Sequence, residues 1–182
     1  MTAPPLSLYV HFPWCVSKCP YCDFNSHALQ GELPAERYIA ALEADLETQA
    51  PLVAGRPIVS VFFGGGTPSL FPPEAIARVL EHTRGLLGLA PDAEITLEAN
   101  PGTIERGRFA GYRDAGVNRV SLGAQTFDAA MLQTLGRIHS PEETRLAAEE
   151  LHAAGLANFN LDLMYAPPGQ TLDDAAGEAY DK

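Results

Sequence analysis

The sequence predicts an α/β fold in which about five parallel strands with outer helices form an incomplete βα barrel. Short apolar and β-branched runs alternate with longer helical patterns over the whole chain, as parallel strands with crossover helices require. One pattern is also repeated, in which a helix ends at Ala-Gly and an apolar strand begins two or three residues later. It occurs in RDAGVNRVSLGAQ and HAAGLANFNLDLM. A repeated unit favours a barrel over a doubly wound sheet, although local spacing alone does not separate the two.

The predicted strands are the runs richest in β-branched and apolar residues. They lie at Ser7 to His11, Ile58 to Phe63, Glu94 to Glu98, Arg119 to Gly123 and Asn158 to Met164. The predicted helices carry apolar residues at helical spacing between these strands. They lie at Ala35 to Ala50, Pro73 to Leu87, Ile104 to Ala115, Asp128 to Leu135 and Pro141 to Ala154. Gly116 and Gly155 follow two of the helices, where a left-handed residue ends a helix.

We expect residues 1–182 to form one domain, since this length fits the usual range of roughly 100 to 200 residues. After Met164 a further helix begins at about Thr171, and no sixth strand follows it. Five strands do not close a barrel, so we expect the chain to be the N-terminal portion of a longer protein. The end of the barrel and a C-terminal domain would then lie outside it.

Charge and hydropathy limit the partners that we expect. The chain has 12 basic and 23 acidic residues and a formal net charge of −11, which disfavours nucleic acid because phosphates are bound by Lys and Arg. Its apolar runs are far shorter than the roughly 18 residues of a transmembrane segment. The N-terminus, MTAPPLSLYV, lacks the basic flank and apolar core of a secretory signal. We therefore expect a cytoplasmic protein without a transmembrane segment, in which thiols stay reduced.

All three cysteines lie in PWCVSKCPYCDFN, directly after the first predicted strand. They form the motif CxxxCxxC, at Cys15, Cys19 and Cys22. A structural zinc site normally has four ligands, and only His11 or His27 could complete the set here. A Cys-x-x-Cys redox pair would leave the third thiol without a role. Three thiolates suit a four-iron cluster in which one iron keeps an open position, as a catalytic metal needs in order to bind a small molecule.

The motif and its surroundings resemble the radical S-adenosylmethionine (SAM) superfamily. CxxxCxxC follows the first strand, Tyr21 precedes the last cysteine, and GGGTP at Gly64 to Pro68 follows the second strand. The resemblance implies a partial radical SAM (β/α) barrel and a [4Fe-4S] cluster. In this superfamily the open iron chelates the amino and carboxylate groups of SAM. An electron from the cluster then splits SAM into methionine and a 5′-deoxyadenosyl radical.

Longer stretches resemble the oxygen-independent coproporphyrinogen III oxidase-like family over nearly the whole chain. These stretches are LYVHFPWCVSKCPYCDFNSH, VFFGGGTPSL, ITLEANPGT, RVSLGAQTFDAAMLQTLGRIHS and FNLDLMYAPPGQT. The oxidases proper carry a further cysteine two positions after the third, where this chain has Phe24. In this respect the chain resembles the haem chaperone branch of the family, whose members bind haem and transfer it to acceptor proteins. The alternative is an oxidase of porphyrin biosynthesis, which acts on coproporphyrinogen III; either protein would also need an electron donor.

The resemblance implies that Cys15, Cys19 and Cys22 hold the cluster, and it also marks candidate SAM-binding residues. The Gly65 to Thr67 stretch matches the one that meets the methionine amino group, and Glu98 matches the ribose-binding carboxylate. In the oxidases some of the matching positions bind a second SAM molecule. The full set of candidates is Tyr9, Tyr21, Gly65, Gly66, Thr67, Glu98, Gln125, Arg137 and Asp162.

The positions of these candidates also predict one pocket without reference to a family. The cysteine motif, Gly65, Glu98, Gln125 and Asp162 lie in or directly after five different predicted strands. Ligand sites of parallel α/β folds gather at the carboxyl ends of the strands. Asp162 stands between two leucines, where a carboxylate needs a partner or a ligand. Glycines after a strand allow the backbone to approach a ligand closely.

Overall fold

Five parallel strands form the main sheet of the molecule. The computed structural model describes residues 4–53, 55–102 and 107–180. In this part of the chain the strands are β1 (Leu6–Phe12), β2 (Trp14–Cys15), β3 (His27–Ala28), β4 (Ile58–Gly65), β5 (Leu89–Ala99), β6 (Arg119–Gln125) and β7 (Phe159–Leu163). The sheet order is β1-β4-β5-β6-β7, and every neighbouring pair is parallel. Over the described residues the sheet stays open, so the predicted incomplete α/β unit is confirmed.

Helices connect the strands and cover one face of the sheet. They are α1 (Ala35–Gln49), α2 (Pro73–Leu86), α3 (Phe109–Ala115), α4 (Ala129–Thr134), α5 (Pro141–Ala153) and α6 (Leu172–Tyr180), with 3-10 turns at Ala50–Val53 and Pro68–Leu70. The predicted helices are confirmed within one or two residues at most ends. The predicted start of α3 at Ile104 lies outside the described residues. Within the described ranges none of these helices is long and apolar enough to span a membrane.

The hydrophobic core lies between the sheet and α1, α2, α3 and α5. Successive side chains of a strand point to opposite faces, and the residues on the helix-covered face are buried and apolar. Examples are Phe12 of β1, Phe63 of β4, Leu97 of β5 and Leu122 of β6, all 0% exposed. Burying an aromatic or aliphatic side chain of this size stabilises the fold by about 1.5–3 kcal/mol. This packing fixes the strand ends at which the cysteine motif and the other candidates lie.

The opposite face of the sheet is polar and open. The Ser60 hydroxyl donates to the Ser7 hydroxyl at 2.7 Å between β4 and β1. Further along this face Arg119 Nη2 donates to the Asn160 amide oxygen at 2.6 Å between β6 and β7. Tyr9 on β1 is 56% exposed on the same face. This surface, defined by the outward side chains of β1, β4, β5, β6 and β7, is called the open face below.

The structure differs from the prediction at the start of β5 and agrees with it at the two glycines that follow helices. Strand β5 begins at Leu89 rather than Glu94, because Leu89 pairs with Ile58 of β4 although Pro91 and Asp92 look like turn residues. The two helix-ending glycines are confirmed, since Gly116 and Gly155 have φ angles of 111° and 81°. These left-handed residues end α3 and close the turn after α5, so the repeated pattern corresponds to two helix-to-strand turns.

Candidate functional site

A cavity of about 610 Å³ lies at the carboxyl ends of the main-sheet strands. Every strand of the main sheet contributes to it, either through its last residues or through the loop that follows. The structure therefore brings together all but one of the residues that the sequence singled out. Those that line the cavity are Cys15, Cys19, Tyr21, Cys22, Gly65, Gly66, Thr67, Glu98, Gln125, Arg137 and Asp162.

The cysteine loop, residues 13–28, folds as a closed unit. Its ends pair as the short parallel strands β2 and β3, and the Leu29 amide donates to the Cys15 carbonyl at 2.8 Å. Inside the loop Lys18 Nζ donates to the carbonyls of Phe24 at 3.0 Å and Ser26 at 2.9 Å. These bonds use only backbone acceptors and leave the thiols out. The loop thus has an internal scaffold that holds the three cysteines at one side of the cavity.

The three thiols are free and partly buried. Over residues 4–53, 55–102 and 107–180, no three His, Cys, Asp or Glu side chains converge closely enough to hold one metal ion. An iron–sulfur cube needs a different arrangement, since each thiolate binds its own iron and the thiols have to surround a volume instead of a point. All three thiols line the same cavity, on which the cluster proposal below rests.

The glycines after β4 allow the backbone to pass very close to the cysteine loop. The Gly66 amide donates to the Phe12 carbonyl at 2.6 Å, and the Thr67 amide donates to the Trp14 carbonyl at 2.8 Å. A Cβ atom on Gly66 would lie 2.7 Å from the Trp14 carbonyl oxygen, and one on Gly65, whose φ is +114°, would lie 2.6 Å from the His11 ring. The sequence predicted close approach to a ligand; the structure shows that the same glycines are needed for close approach to the protein itself.

Glu98 ends β5 at the cavity wall. Its carboxylate accepts a hydrogen bond from the Gly65 amide at 3.1 Å. Burial raises the pKa of the Glu98 carboxyl, the Gly65 hydrogen bond opposes this effect, and the charge of Asp162 raises the pKa further. The site therefore contains two carboxyl groups, and the charge of Asp162 acts on Glu98.

Asp162 is held by two donors from neighbouring side chains. The Ser121 hydroxyl donates to Asp162 Oδ2 at 2.7 Å, and Asn160 Nδ2 donates to Asp162 Oδ1 at 2.6 Å. Arg119 supports this arrangement through its bond to Asn160. The sequence predicted that this carboxylate must be partnered or face a ligand, and in the structure it is partnered while its side chain remains open to the cavity.

Arg137 links three parts of the site. Its Nη1 donates to Cys19 Sγ at 3.5 Å, and its Nη2 donates to the Asn100 amide oxygen at 2.5 Å and to the Gly123 carbonyl at 2.9 Å. Gln125 ends β6 nearby in a left-handed conformation with a φ of 65°, which is uncommon for a residue other than glycine and turns the chain sharply after the strand. The Arg137 side chain thus bridges the cysteine loop and the ends of β5 and β6.

Tyr9 is the candidate that the structure places outside the cavity lining. Its hydroxyl forms a 3.0 Å hydrogen bond with His11 Nδ1, and its ring stacks against Phe62 at 6.3 Å on the open face. The second nitrogen of His11 contacts the Asn25 carbonyl at 2.8 Å, so this histidine connects β1 to the cysteine loop. A SAM-binding role for Tyr9 stays a prediction.

Sequence reasoning missed several residues that line the cavity. Asn100 follows Glu98 by two positions, and Ser121 precedes Gln125 by four, so both continue the alternation that marks one face of a strand. That alternation was the signal by which they could have been found. The missed lining residues include Phe62, Asn100, Ser121, Gly123 and Met164.

Comparison with known proteins assigns the fold and the cysteine loop to a family. The radical SAM superfamily matches residues 9–177, and the chain belongs to this superfamily, which implies a [4Fe-4S] cluster and SAM as cofactors. Among curated proteins the chain is similar to the heme chaperone HemW of Escherichia coli (strain K12), with 53% identity over 96% of this chain and 46% of the relative. Heme chaperone HemW of Haemophilus influenzae is 50% identical, over 94% of this chain and 46% of the relative.

A solved structure of coproporphyrinogen III oxidase (HemN) from Escherichia coli, described as a radical SAM enzyme, has a similar fold. It superposes with a TM-score of 0.86 at 33% identity, over 97% of this chain and 41% of the oxidase. The chain thus spans less than half the length of each of these relatives. The resemblance predicted from the sequence motifs is confirmed.

Proposed function

We propose that this chain is the cluster-binding and SAM-binding part of a haem chaperone, which binds haem and transfers it to acceptor proteins. The observation that carries the proposal is that the three cysteines and nearly all SAM candidates share one cavity with Phe24. Phe24 stands where the oxidases proper have a further cysteine. The identity of 53% to a heme chaperone supports the same assignment.

Cys15, Cys19 and Cys22 would hold a [4Fe-4S] cluster. Their thiols are free, partly buried and grouped at one side of a 610 Å³ cavity, which suits three ligands around a cube with one iron left open. Bound there, the cluster supplies a reducing electron and an open coordination position for SAM. Lys18 holds the loop closed through hydrogen bonds to the carbonyls of Phe24 and Ser26.

The remaining cavity residues would bind SAM. Glu98 and Asp162 offer carboxylates for ribose hydroxyls or for the ammonium group, and Gln125 adds an amide between them. Tyr21, an aromatic residue in the cavity lining, offers a ring for the adenine. Gly65 to Thr67 would meet the methionine amino group through backbone groups. Tyr9 would contribute only if SAM extends over the open face.

The proposed setting follows from the chemistry of the site. Free thiols and an oxygen-sensitive cluster require a reducing compartment, so we place the protein in the cytoplasm. Its partners would be haem, haem-acceptor proteins and a protein that donates electrons. The net charge of −11 argues against nucleic acid as a partner.

The cofactor proposal is tested by anaerobic reconstitution followed by iron, sulfide and zinc analysis. We expect about four irons and four sulfides per chain, and we expect Cys19→Ala to lose them. Ser17→Ala is the matched control, because Ser17 is an exposed residue of the same loop, and it should keep the full cluster. Stoichiometric zinc in place of iron and sulfide would contradict the proposal.

A second experiment separates the chaperone from the oxidase, whose structural likeness to this chain makes it the alternative. The full-length protein is incubated anaerobically with coproporphyrinogen III, SAM and a reductant. We expect no protoporphyrinogen, and we expect added haem to bind and then pass to an apoprotein acceptor, followed by its absorption spectrum. Formation of protoporphyrinogen would assign the oxidase instead.

A further inference from the structure

Arg137 contacts one of the three cysteines, and the SAM-binding assignment does not account for this contact. Its guanidinium touches the sulfur of Cys19, with Nη1 at 3.5 Å from Sγ. Over residues 4–53, 55–102 and 107–180, no other Lys or Arg side chain donates a hydrogen bond to a cysteine sulfur. Lys18, the other cation of the loop, uses its ammonium group for backbone carbonyls. Arg137 is therefore placed to influence one of the three cluster ligands directly.

The guanidinium is fixed in position by groups other than the thiol. Asn100 accepts from Arg137 Nη2, and the amide nitrogen of Asn100 donates to the Thr67 hydroxyl at 3.1 Å. Thr67 is 3% exposed, and the Gly123 carbonyl holds Nη2 from the side of β6. A planar, forked cation with these bonds has little freedom to turn away from Cys19.

Hydrogen bonds to cluster sulfurs and nearby positive charge are two of the factors that set the reduction potential of an iron–sulfur cluster. Reduction adds one negative charge, so a fixed cation at a sulfur ligand stabilises the reduced form. We propose that Arg137 is a positioning residue for Cys19 that raises the reduction potential of the cluster, with Asn100 holding it in place. This inference rests on the proposed cluster site.

The test measures the midpoint potential of the reconstituted cluster without SAM, by a redox titration followed by electron paramagnetic resonance. Arg137→Gln removes the charge and the fork, and we expect the reduction equilibrium to become about tenfold less favourable, which lowers the potential by ~59 mV for one electron. Arg137→Lys keeps the charge without the fork and should give a smaller decrease. Asn100→Ala should also lower the potential, because it releases the guanidinium.

Arg145→Gln is the matched control for the loss of one arginine. Arg145 lies on α5 and faces Glu142 at 3.7 Å and the Phe127 ring, so its variant should keep the wild-type potential. An Arg137→Gln cluster with full iron content and the potential of the Arg145→Gln protein would overturn the inference. If Arg137→Gln does not retain iron, Arg137→Lys decides in the same way: a lowered potential supports the inference and an unchanged one overturns it.

A missing cluster and a cluster that does not respond to Arg137 are distinguished by the iron content. Absence of about four irons in the unaltered chain would refute the proposed cluster itself. A normal cluster whose potential is insensitive to Arg137 would refute only the role of this residue.

Discussion

At the scale of single residues, the cavity contains two carboxyl groups with different surroundings. Glu98 has a raised pKa because it is buried and lies near Asp162, whereas Asp162 receives hydrogen bonds from Ser121 and Asn160. Two nearby carboxylates with different surroundings are a common feature of functional sites. SAM carries positive charge, so binding it would favour the ionised form of Glu98.

Glu98→Gln should make the folded chain more stable at pH 7 while it weakens SAM binding. A carboxyl whose pKa is raised in the folded state destabilises the fold when it is ionised and not when it is protonated. The gain in Tm should therefore be present at pH 7 and vanish below the ordinary Glu pKa of about 4.3. Thermal unfolding at both pH values checks the stability, and calorimetric titration with SAM checks the binding. An equal gain at both pH values would contradict this assignment.

Some site residues could be predicted from the sequence and others could not, for a physical reason. Cysteines and carboxylates at strand ends have few structural uses, so Cys15 and Glu98 stand out. Asn100 and Ser121 stand out less, because uncharged polar side chains occur at many strand ends and only the alternation along β5 and β6 marks these two residues. The contact between Arg137 and Cys19 joins residues 118 positions apart, and only the fold brings them together.

At the scale of elements, the junction between β4 and the cysteine loop is tightly constrained by backbone contacts. The backbone after β4 is hydrogen-bonded to the ends of β1 and β2, with no space for a side chain at Gly66. The obstructing atom is a backbone oxygen, which cannot turn aside as a side chain would.

Gly66→Ala should destabilise the fold by about 1–3 kcal/mol, the range for side chains forced into a packed interior. Gly85→Ala is the matched control: it lies in α2 with nothing within 4 Å of the added Cβ. Gly85 lies in the last turn of α2, so alanine there should stabilise the protein by at most the roughly 0.5–1 kcal/mol of a helix interior. Urea unfolding of the three proteins measures both changes, and a neutral Gly66→Ala would show that the junction can relax.

The elements themselves were largely predictable. Strands buried on a helix-covered face appear as apolar runs. The start of α5 is marked by Ser140, which forms a capping box with Glu143, and by Pro141 at the first helical position. The early start of β5 was not predictable, because Pro91 and Asp92 occur inside a strand that its pairing with β4 stabilises.

At the scale of the whole molecule, the sheet has two different faces and, within the described residues, two edge strands, β1 and β7. One face is covered by helices, and the open face carries a network of polar side chains. Within the described residues β7 is an edge of the sheet. Backbone groups on such an edge are available for pairing with another chain.

The 182-residue chain should therefore self-associate through β7 at high concentration. Leu163→Lys places a charge on this edge and should shift the chain toward the monomer, as charged edge residues do in natural sheets. Leu172→Lys is the control, because Leu172 is 89% exposed and starts α6 instead of lying in the sheet. Sedimentation velocity over a concentration series measures the association. Equal effects of both variants would indicate nonspecific hydrophobic association instead of pairing through the edge of β7.

The bonds from Lys18 to the carbonyls of Phe24 and Ser26 have a consequence for maintenance of the protein. These bonds do not involve the thiols. Loss of iron through damage by oxygen should therefore leave them in place. We therefore expect that reloading the site with iron and sulfide requires little reordering of residues 13–28.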